Sequence, residues 1–312
     1  MFGLGTFWDE HLSWDSWQEV LGWYPWHTHY PVHLRREFDD RRFTVKESDA
    51  QPIEPRQYAR LLRSVQDYAR ASVSRRKLAY HNENHFADMA RSATMLFDRM
   101  YGSAARRGPL IAIRQGIEIA AWLHDCHHSG CTLRADSIQP LYKPELGTNV
   151  SAEFVSATAA DELLRHAGLP IQWRAFVVNL ILSTTFAGGV AKQRGIQGIP
   201  AIEKPRTAYF ALMRLADVWP PSDVYIGAQQ GINVNLHEIP ATGVITDPVA
   251  LIQAQIGFEQ YRQGEMRWFD QVCGKSLTKD GQATSRRLQQ QYERALSGKD
   301  KKLLDFVTQC MS

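Results

Sequence analysis

The chain of 312 residues has few cysteines and little net charge. The four cysteines show neither the spacing of a disulfide framework nor a CxxC pair, which argues against a disulfide-rich secreted protein and against a zinc finger. They are Cys126, Cys131, Cys273 and Cys310. The net charge of +3 is too small to indicate nucleic acid as a partner, because the basic clusters are scattered among acidic residues.

Long apolar runs are also missing from the sequence. No stretch approaches the roughly 18 apolar residues that a membrane span needs, so we expect no membrane partner. The N-terminus lacks the basic region, the apolar core and the cleavage site of a signal peptide. Together with the cysteine usage, these features predict a cytoplasmic protein. The 44% hydrophobic and 22% charged residues are typical of a globular chain.

Helical periodicity dominates the sequence from Pro55 onward. Apolar residues between Tyr58 and Tyr68 recur at i, i+3, i+4 and i+7, with Pro55 in the first turn. Further helices are predicted over 82–100, 109–125, 149–167, 171–185, 205–218, 247–272, 282–297 and 300–310. Two stretches rich in Gly and Pro, 188–200 and 220–248, are predicted to be loops. No segment shows clear strand alternation, so we predict an all-α fold with a compact helical bundle over 55–312.

Residues 1–54 form a separate aromatic-rich N-terminal extension in this interpretation. Five tryptophans fall within the first 26 positions: Trp8, Trp14, Trp17, Trp23 and Trp26. We expect the extension to pack on the main domain or on a second subunit, and the second arrangement would make the protein a homodimer. A platform on which a ligand stacks is the alternative.

Two histidines and two aspartates have the chemistry of a metal site. His85 follows a polar segment, the pair His124-Asp125 closes the apolar run 117–123, and Asp217 ends another apolar helix. A buried carboxylate at such a position is costly unless it is paired or bound to a metal. Imidazole and carboxylate ligands suit a divalent ion such as Zn²⁺, Mn²⁺, Fe²⁺ or Mg²⁺. Because the residues come from three distant segments, the site would form only in the folded bundle.

His81 lies four residues before His85, and Asp88 lies three residues after it. We therefore expect the three side chains to share one face of a helix. On that face His81 would lie one helical turn from a metal ligand, where it could protonate a leaving group.

These motifs resemble the HD-domain metal-dependent phosphohydrolase superfamily, and their order and spacing are similar to those of the class I cyclic-nucleotide phosphodiesterases. The matching segments are Tyr80-His81-Asn82 with His85 and Asp88, Ala121-Trp122-Leu123-His124-Asp125 with His128 and Gly130, and Leu215-Ala216-Asp217. The likeness covers roughly residues 58–272.

The resemblance implies an HD-type all-helical catalytic domain that cleaves a nucleotide phosphate ester, such as a cyclic nucleotide, with a metal-activated water. One ion would be fully ligated, and Asp125 would bridge to a second ion. The implied metal ligands are His85, His124, Asp125 and Asp217. The implied catalytic residues are His81 as the general acid, and His128 and Glu153, which would orient water or ligands.

The resemblance also implies a binding site for a small-molecule nucleotide or phosphate ester. Its residues would be Tyr80, Thr184, Gln255 and Phe258. The amide of Gln255 and the ring of Phe258 would hold the base. Two other activities of related scaffolds stay open, a nucleotidase or nucleoside triphosphate hydrolase and a di-iron oxygenase. The oxygenase needs additional histidines that this sequence does not offer at the corresponding places.

Overall fold

The computed structural model describes residues 51–74, 78–128, 152–184, 204–238 and 244–312. In these ranges the regular structure is entirely helical, which confirms the predicted all-α class. The helices are α1 (Pro55–Ser74), α2 (Glu83–Tyr101), α3 (Pro109–Leu123), α4 (Ala152–His166), α5 (Ile171–Leu182), α6 (Lys204–Asp217), α7 (Val224–His237), α8 (Pro248–Cys273), α9 (Lys279–Leu296) and α10 (Lys301–Met311). A 3₁₀ turn, Gly102–Arg106, joins α2 to α3. None of the described helices is both long and apolar enough to cross a bilayer.

Some predicted features fall on residues that the structure does not describe. The predicted loop 188–200 and residues 1–50 of the predicted N-terminal extension lie outside the described ranges. The division of the chain at residue 54 therefore stays a prediction, and so does homodimer formation.

Helix α3 forms the centre of the larger apolar core. Its residues Ile117, Ile119 and Leu123 are fully buried, and the helix packs on α1, α2 and α5. Most of the surface of α3 is apolar, with Arg114 and Glu118 on its partly exposed side, so the helix is stable only when neighbouring helices cover the apolar part. A second apolar core joins α7, α8, α9 and α10 around Ile252, Leu288 and Tyr292.

The first turn of α2 differs from the prediction in one respect. Asn82 is extended and caps the helix, since its side-chain oxygen accepts the amide of Asn84 at 2.9 Å. Helix α2 therefore begins at Glu83, and His81 lies just before it. The expectation that His81 shares a helical face with His85 is wrong, although the two rings remain near each other, with centroids 5.3 Å apart.

The prediction of a loop over 220–248 is wrong, because this stretch contains α7. Asp223 caps the helix by accepting the amide of Tyr225 at 2.8 Å. Two of the glycines that contributed to the loop prediction, Gly227 and Gly231, are sites of close helix packing. A Cβ atom at Gly227 would lie 2.8 Å from the hydroxyl of Tyr292, and one at Gly231 would lie 2.0 Å from the amide nitrogen of Gln255. Tertiary packing thus overrides the low helix propensity of glycine.

Candidate metal centre

The structure brings His85, His124, Asp125 and Asp217 together, as the sequence predicted. His85 lies in the first turn of α2, His124 and Asp125 directly follow α3, and Asp217 is the last residue of α6. Each offers one ligand atom, and these atoms all lie within 4.8 Å of one another. The three helices that supply them pack directly against each other, so the bundle fixes the site.

The distances within this group suit a single small cation. The Nε2 atoms of His85 and His124 are 3.1 Å apart, and each lies 3.4 Å from Oδ1 of Asp217. Oδ2 of Asp125 lies 3.1 Å from Nε2 of His124 and 3.7 Å from Nε2 of His85. Ligands at about 2.05 Å from a tetrahedral ion are separated by about 3.3 Å, close to these values.

Two further features fit a metal site. Nδ1 of His124 lies 2.9 Å from the carbonyl of Ala121, a hydrogen bond that directs Nε2 towards the other ligands. Oδ1 of Asp125 is buried and has no hydrogen-bond partner among the described residues. A buried carboxylate oxygen without a partner is costly, and a cation would satisfy it.

The electrostatics of the group show strong mutual stabilisation of charge. Burial lowers the pKa of His124, but the charges of Asp125 and Asp217 and the hydrogen bonds to them together outweigh burial and hold that pKa well above its usual value. Burial raises the pKa of Asp125, but His124 and His85 hold it well below its usual value. Burial lowers the pKa of His85, but its interactions with Asp125 and Asp217 together raise that pKa above its usual value. Burial raises the pKa of Asp217, but its interactions with His124 and His85 together lower it. Metal binding would therefore compete with protons on the two histidines.

Glu238, directly after α7, is a residue of this region that the sequence did not reveal. Its Oε1 accepts the backbone amides of Tyr80 at 2.5 Å and of His81 at 3.1 Å. Its Oε2 is hydrogen-bonded to Nδ1 of His81. Burial raises the pKa of Glu238, but the interaction with His81 and the backbone hydrogen bonds from Tyr80 and His81 together outweigh burial and lower the pKa overall. No sequence signal marked this residue, because it falls within the stretch predicted as a loop.

The other nitrogen of His81 faces the metal group. Nε2 of His81 lies 3.5 Å from Oδ2 of Asp125. His128 stacks on His81 with ring centroids 3.6 Å apart and an interplanar angle of 16°. Burial and the charge of His81 lower the pKa of His128 to about 3, so the ring is neutral at physiological pH. His81, His128 and Glu238 form a second group close enough to hold a metal ion.

A cavity of about 610 Å³ opens beside the metal group. His85 and Asp217 belong to its wall, and so does Tyr80, whose ring centroid lies 4.7 Å from that of His85. Burial raises the pKa of Tyr80 above its usual value, so its hydroxyl stays a neutral hydrogen-bond donor. The remaining wall comes from α2, from the segment after Asp217, from α7 and from α9.

The other predicted residues lie apart from this cavity wall. Glu153 is half-buried in the first turn of α4, and the buried hydroxyl of Thr184 donates to the carbonyl of Ile181 at 2.7 Å. On α8, Gln255 lies against α7, and the Phe258 ring packs under the guanidinium of Arg262 at 4.3 Å. The roles assigned to Glu153, Thr184, Gln255 and Phe258 therefore stay predictions.

Comparison with known proteins gives no family for this chain: no family model, no curated protein and no solved structure matches it. The geometry defines an all-α protein with a buried histidine–aspartate group that could hold a metal ion.

Proposed function

We propose that this chain is a metal-dependent phosphoric ester hydrolase of the HD type, and that it cleaves a phosphodiester of a nucleotide. The observation that carries the proposal is the position of His81. A proton donor held by a buried carboxylate, 3.5 Å from an oxygen of the metal group and beside a cavity, is what ester cleavage requires.

The ligand set suits a hard or borderline divalent ion, such as Zn²⁺, Mn²⁺, Fe²⁺ or Mg²⁺. His85, His124, Asp125 and Asp217 would hold it. A divalent ion supplies Lewis-acid activation of water and of the phosphoryl oxygens. The buried Oδ1 of Asp125 would be available to help hold a second ion.

His81 is the proposed general acid. Its Nδ1–H donates to Glu238, and its Nε2 would carry the proton that passes to the leaving alkoxide oxygen, as the oxygen of the attacking water bonds to phosphorus and the P–O bond to the leaving group breaks. The products are an alcohol and a phosphate monoester. Proton transfer of this kind contributes about 10²–10⁴-fold to the rate. Glu238 acts as a positioning residue, because it fixes the orientation of the imidazole and stabilises its positive charge.

His128, Glu153 and Tyr80 have supporting roles in this proposal. His128 packs on His81 as a neutral ring, and so limits the rotation of the proposed acid. Tyr80 presents a neutral hydroxyl at the cavity wall, where it would contact substrate. Glu153 would orient water. The proposed partner is a small-molecule phosphate ester, with neither nucleic acid nor a membrane involved.

The test is hydrolysis by chelator-stripped protein supplied with Mn²⁺, Mg²⁺ or Zn²⁺. Substrates would be 3′,5′-cyclic nucleotides, other nucleoside phosphodiesters, nucleoside monophosphates and nucleoside triphosphates, with products separated by chromatography. We expect metal-dependent cleavage of a phosphodiester. Release of phosphate from monophosphates or triphosphates alone would instead indicate a nucleotidase. Iron in the purified protein, oxidation that needs dioxygen and no ester cleavage would indicate an oxygenase.

Two variants distinguish the proposed general acid, His81, from a proposed metal ligand, Asp217. His81→Ala should lose about 10²–10⁴-fold in kcat and keep its metal, whereas Asp217→Ala should lose the metal. His166→Ala is the matched control, because His166 is an exposed histidine on α4 that pairs with Glu162. Loss of metal in His81→Ala would contradict the role as acid and would make His81 a ligand of the second group.

A further inference from the structure

The wall of the cavity combines residues of the metal group with residues of other helices. His85 and Asp217 belong to this wall, and so does Thr284 of α9. An ester bound at the metal group would therefore have its organic group in the cavity; this step rests on the proposed function. The volume of about 610 Å³ lies within the range of about 300–1,000 Å³ that is typical of small-molecule sites.

The wall carries almost no charge outside the metal group. Among the described residues of the wall, the remaining ionised side chains are Asp88 and Arg91, and they pair with each other at 2.7 Å. Both are largely exposed, with 57% and 75% of their side-chain surface accessible, so the pair lies at the surface. No described residue of the wall is an unpaired cation that could balance a chain of phosphates, and bringing uncompensated charge there is costly. The cavity thus favours a neutral ligand over a triphosphate.

Apolar groups make up much of the wall. They include Met89, Met95, Trp219, Pro221 and Ile226. Ile226 leaves 48% of its surface exposed, although large apolar side chains are usually covered in a folded protein. A ligand with an apolar or planar face would cover this surface and gain free energy in proportion to the area buried.

Several polar side chains of the wall have hydrogen-bonding capacity to spare. Gln230, Ser92 and Thr284 make no hydrogen bond to other described residues. In contrast, the side-chain amides of Asn82 and Asn233 both donate to the carbonyl of Ala79, at 2.8 and 3.3 Å. The spare groups, and Gln230 above all, can serve a ligand that has donors and acceptors on one edge.

We propose that this cavity binds the organic group of the phosphoester, and that this group is uncharged, with an apolar face and a hydrogen-bonding edge, as in a nucleoside. The walls of α2 and α7 would then select the substrate, rather than Gln255 and Phe258 on α8.

The test compares two esters with the same leaving group, thymidine 5′-(4-nitrophenyl) phosphate and methyl 4-nitrophenyl phosphate. Ser92→Phe extends an aromatic ring into the cavity, and Ser64→Phe makes the same change on the exposed face of α1. We expect Ser92→Phe to raise KM for the thymidine ester at least tenfold more than it raises KM for the methyl ester. Ser64→Phe should match the wild type with both esters. Gln230→Leu should likewise raise KM more for the thymidine ester than for the methyl ester, and it covers the case in which Ser92→Phe fails to fold.

Binding of thymidine 5′-monophosphate to Mn²⁺-loaded protein, measured by calorimetry, separates this proposal from the proposed function. If no ester is cleaved by the wild type, the proposed function fails, and loss of nucleotide binding in Ser92→Phe and Gln230→Leu still supports the cavity assignment. Equal effects on both esters would overturn that assignment. So would a raised KM in Gln255→Ala with unchanged Gln230→Leu, or tighter binding of thymidine triphosphate than of the monophosphate.

Discussion

Metal affinity should rise with pH until the raised pKa values of His85 and His124 are passed. In the metal-free protein both histidines hold protons more tightly than usual, because they face Asp125 and Asp217. A metal must displace those protons. Each displaced proton changes the affinity about tenfold per pH unit, or about 1.4 kcal/mol. Displacing protons from two histidines therefore changes the metal affinity by up to about 100-fold, or about 2.7 kcal/mol, per pH unit below both pKa values.

The stability of the metal-free protein, in contrast, should fall as the pH rises into the alkaline range. The raised pKa values of His85 and His124 give a stabilisation that is complete below their unfolded value of about 6.5 and is lost as pH rises through the folded values. The lowered pKa values of Asp125 and Asp217 give a stabilisation that is present above about 3.9 and is lost as pH falls through the folded values. The group thus stabilises the metal-free fold most between about pH 4 and 6.5.

Calorimetric titration with Zn²⁺ or Mn²⁺ in buffers of different ionisation enthalpy counts the released protons. Thermal unfolding from pH 5 to 9, with and without metal, should show a gain in Tm that grows with pH. Asp217→Asn should weaken metal binding and flatten the pH dependence of the stability of the metal-free protein, and His166→Ala should leave both unchanged. An affinity that does not vary with pH, with no proton release, would refute the reasoning, since the histidines would then not be protonated ligands.

Two other predictions concern catalysis and packing. Glu238→Gln removes the charge that holds His81, so kcat should fall about 10- to 100-fold at unchanged metal content, measured by mass spectrometry of bound metal; an unchanged kcat would show that Glu238 does not position the acid. Gly116→Ala places a methyl group 2.7 Å from the ring of Phe176, and the overpacking of about 1–3 kcal/mol should exceed the helix gain of about 1 kcal/mol. Gly257→Ala is the matched change with nothing within 4 Å, and it should stabilise the protein by up to about 1 kcal/mol in denaturant melts. The same sign for both glycine variants would refute the packing argument.

The sequence by itself determined the helical class and the four metal-group residues. Helices can be recognised from apolar residues that recur with a period of about 3.6 residues, which is a local property of the chain. His124-Asp125 stood out for a similar reason, because polar residues at the end of the buried helix α3 need a partner. A titratable group is conspicuous in such an apolar setting even before its partners are known.

Only the tertiary structure revealed that 224–237 is a helix, that Glu238 contacts His81 and that a cavity lies beside the metal group. The glycines of α7 suggest a loop when read locally, and only the approach of Tyr292 and Gln255 shows that they permit helix packing. Glu238 meets His81 across 157 positions of the chain, a contact that no local pattern encodes. The cavity likewise exists only between α2, α7 and α9 once they are assembled. Periodicity specifies which face of a helix is buried, but the partner of that face follows from packing the whole chain.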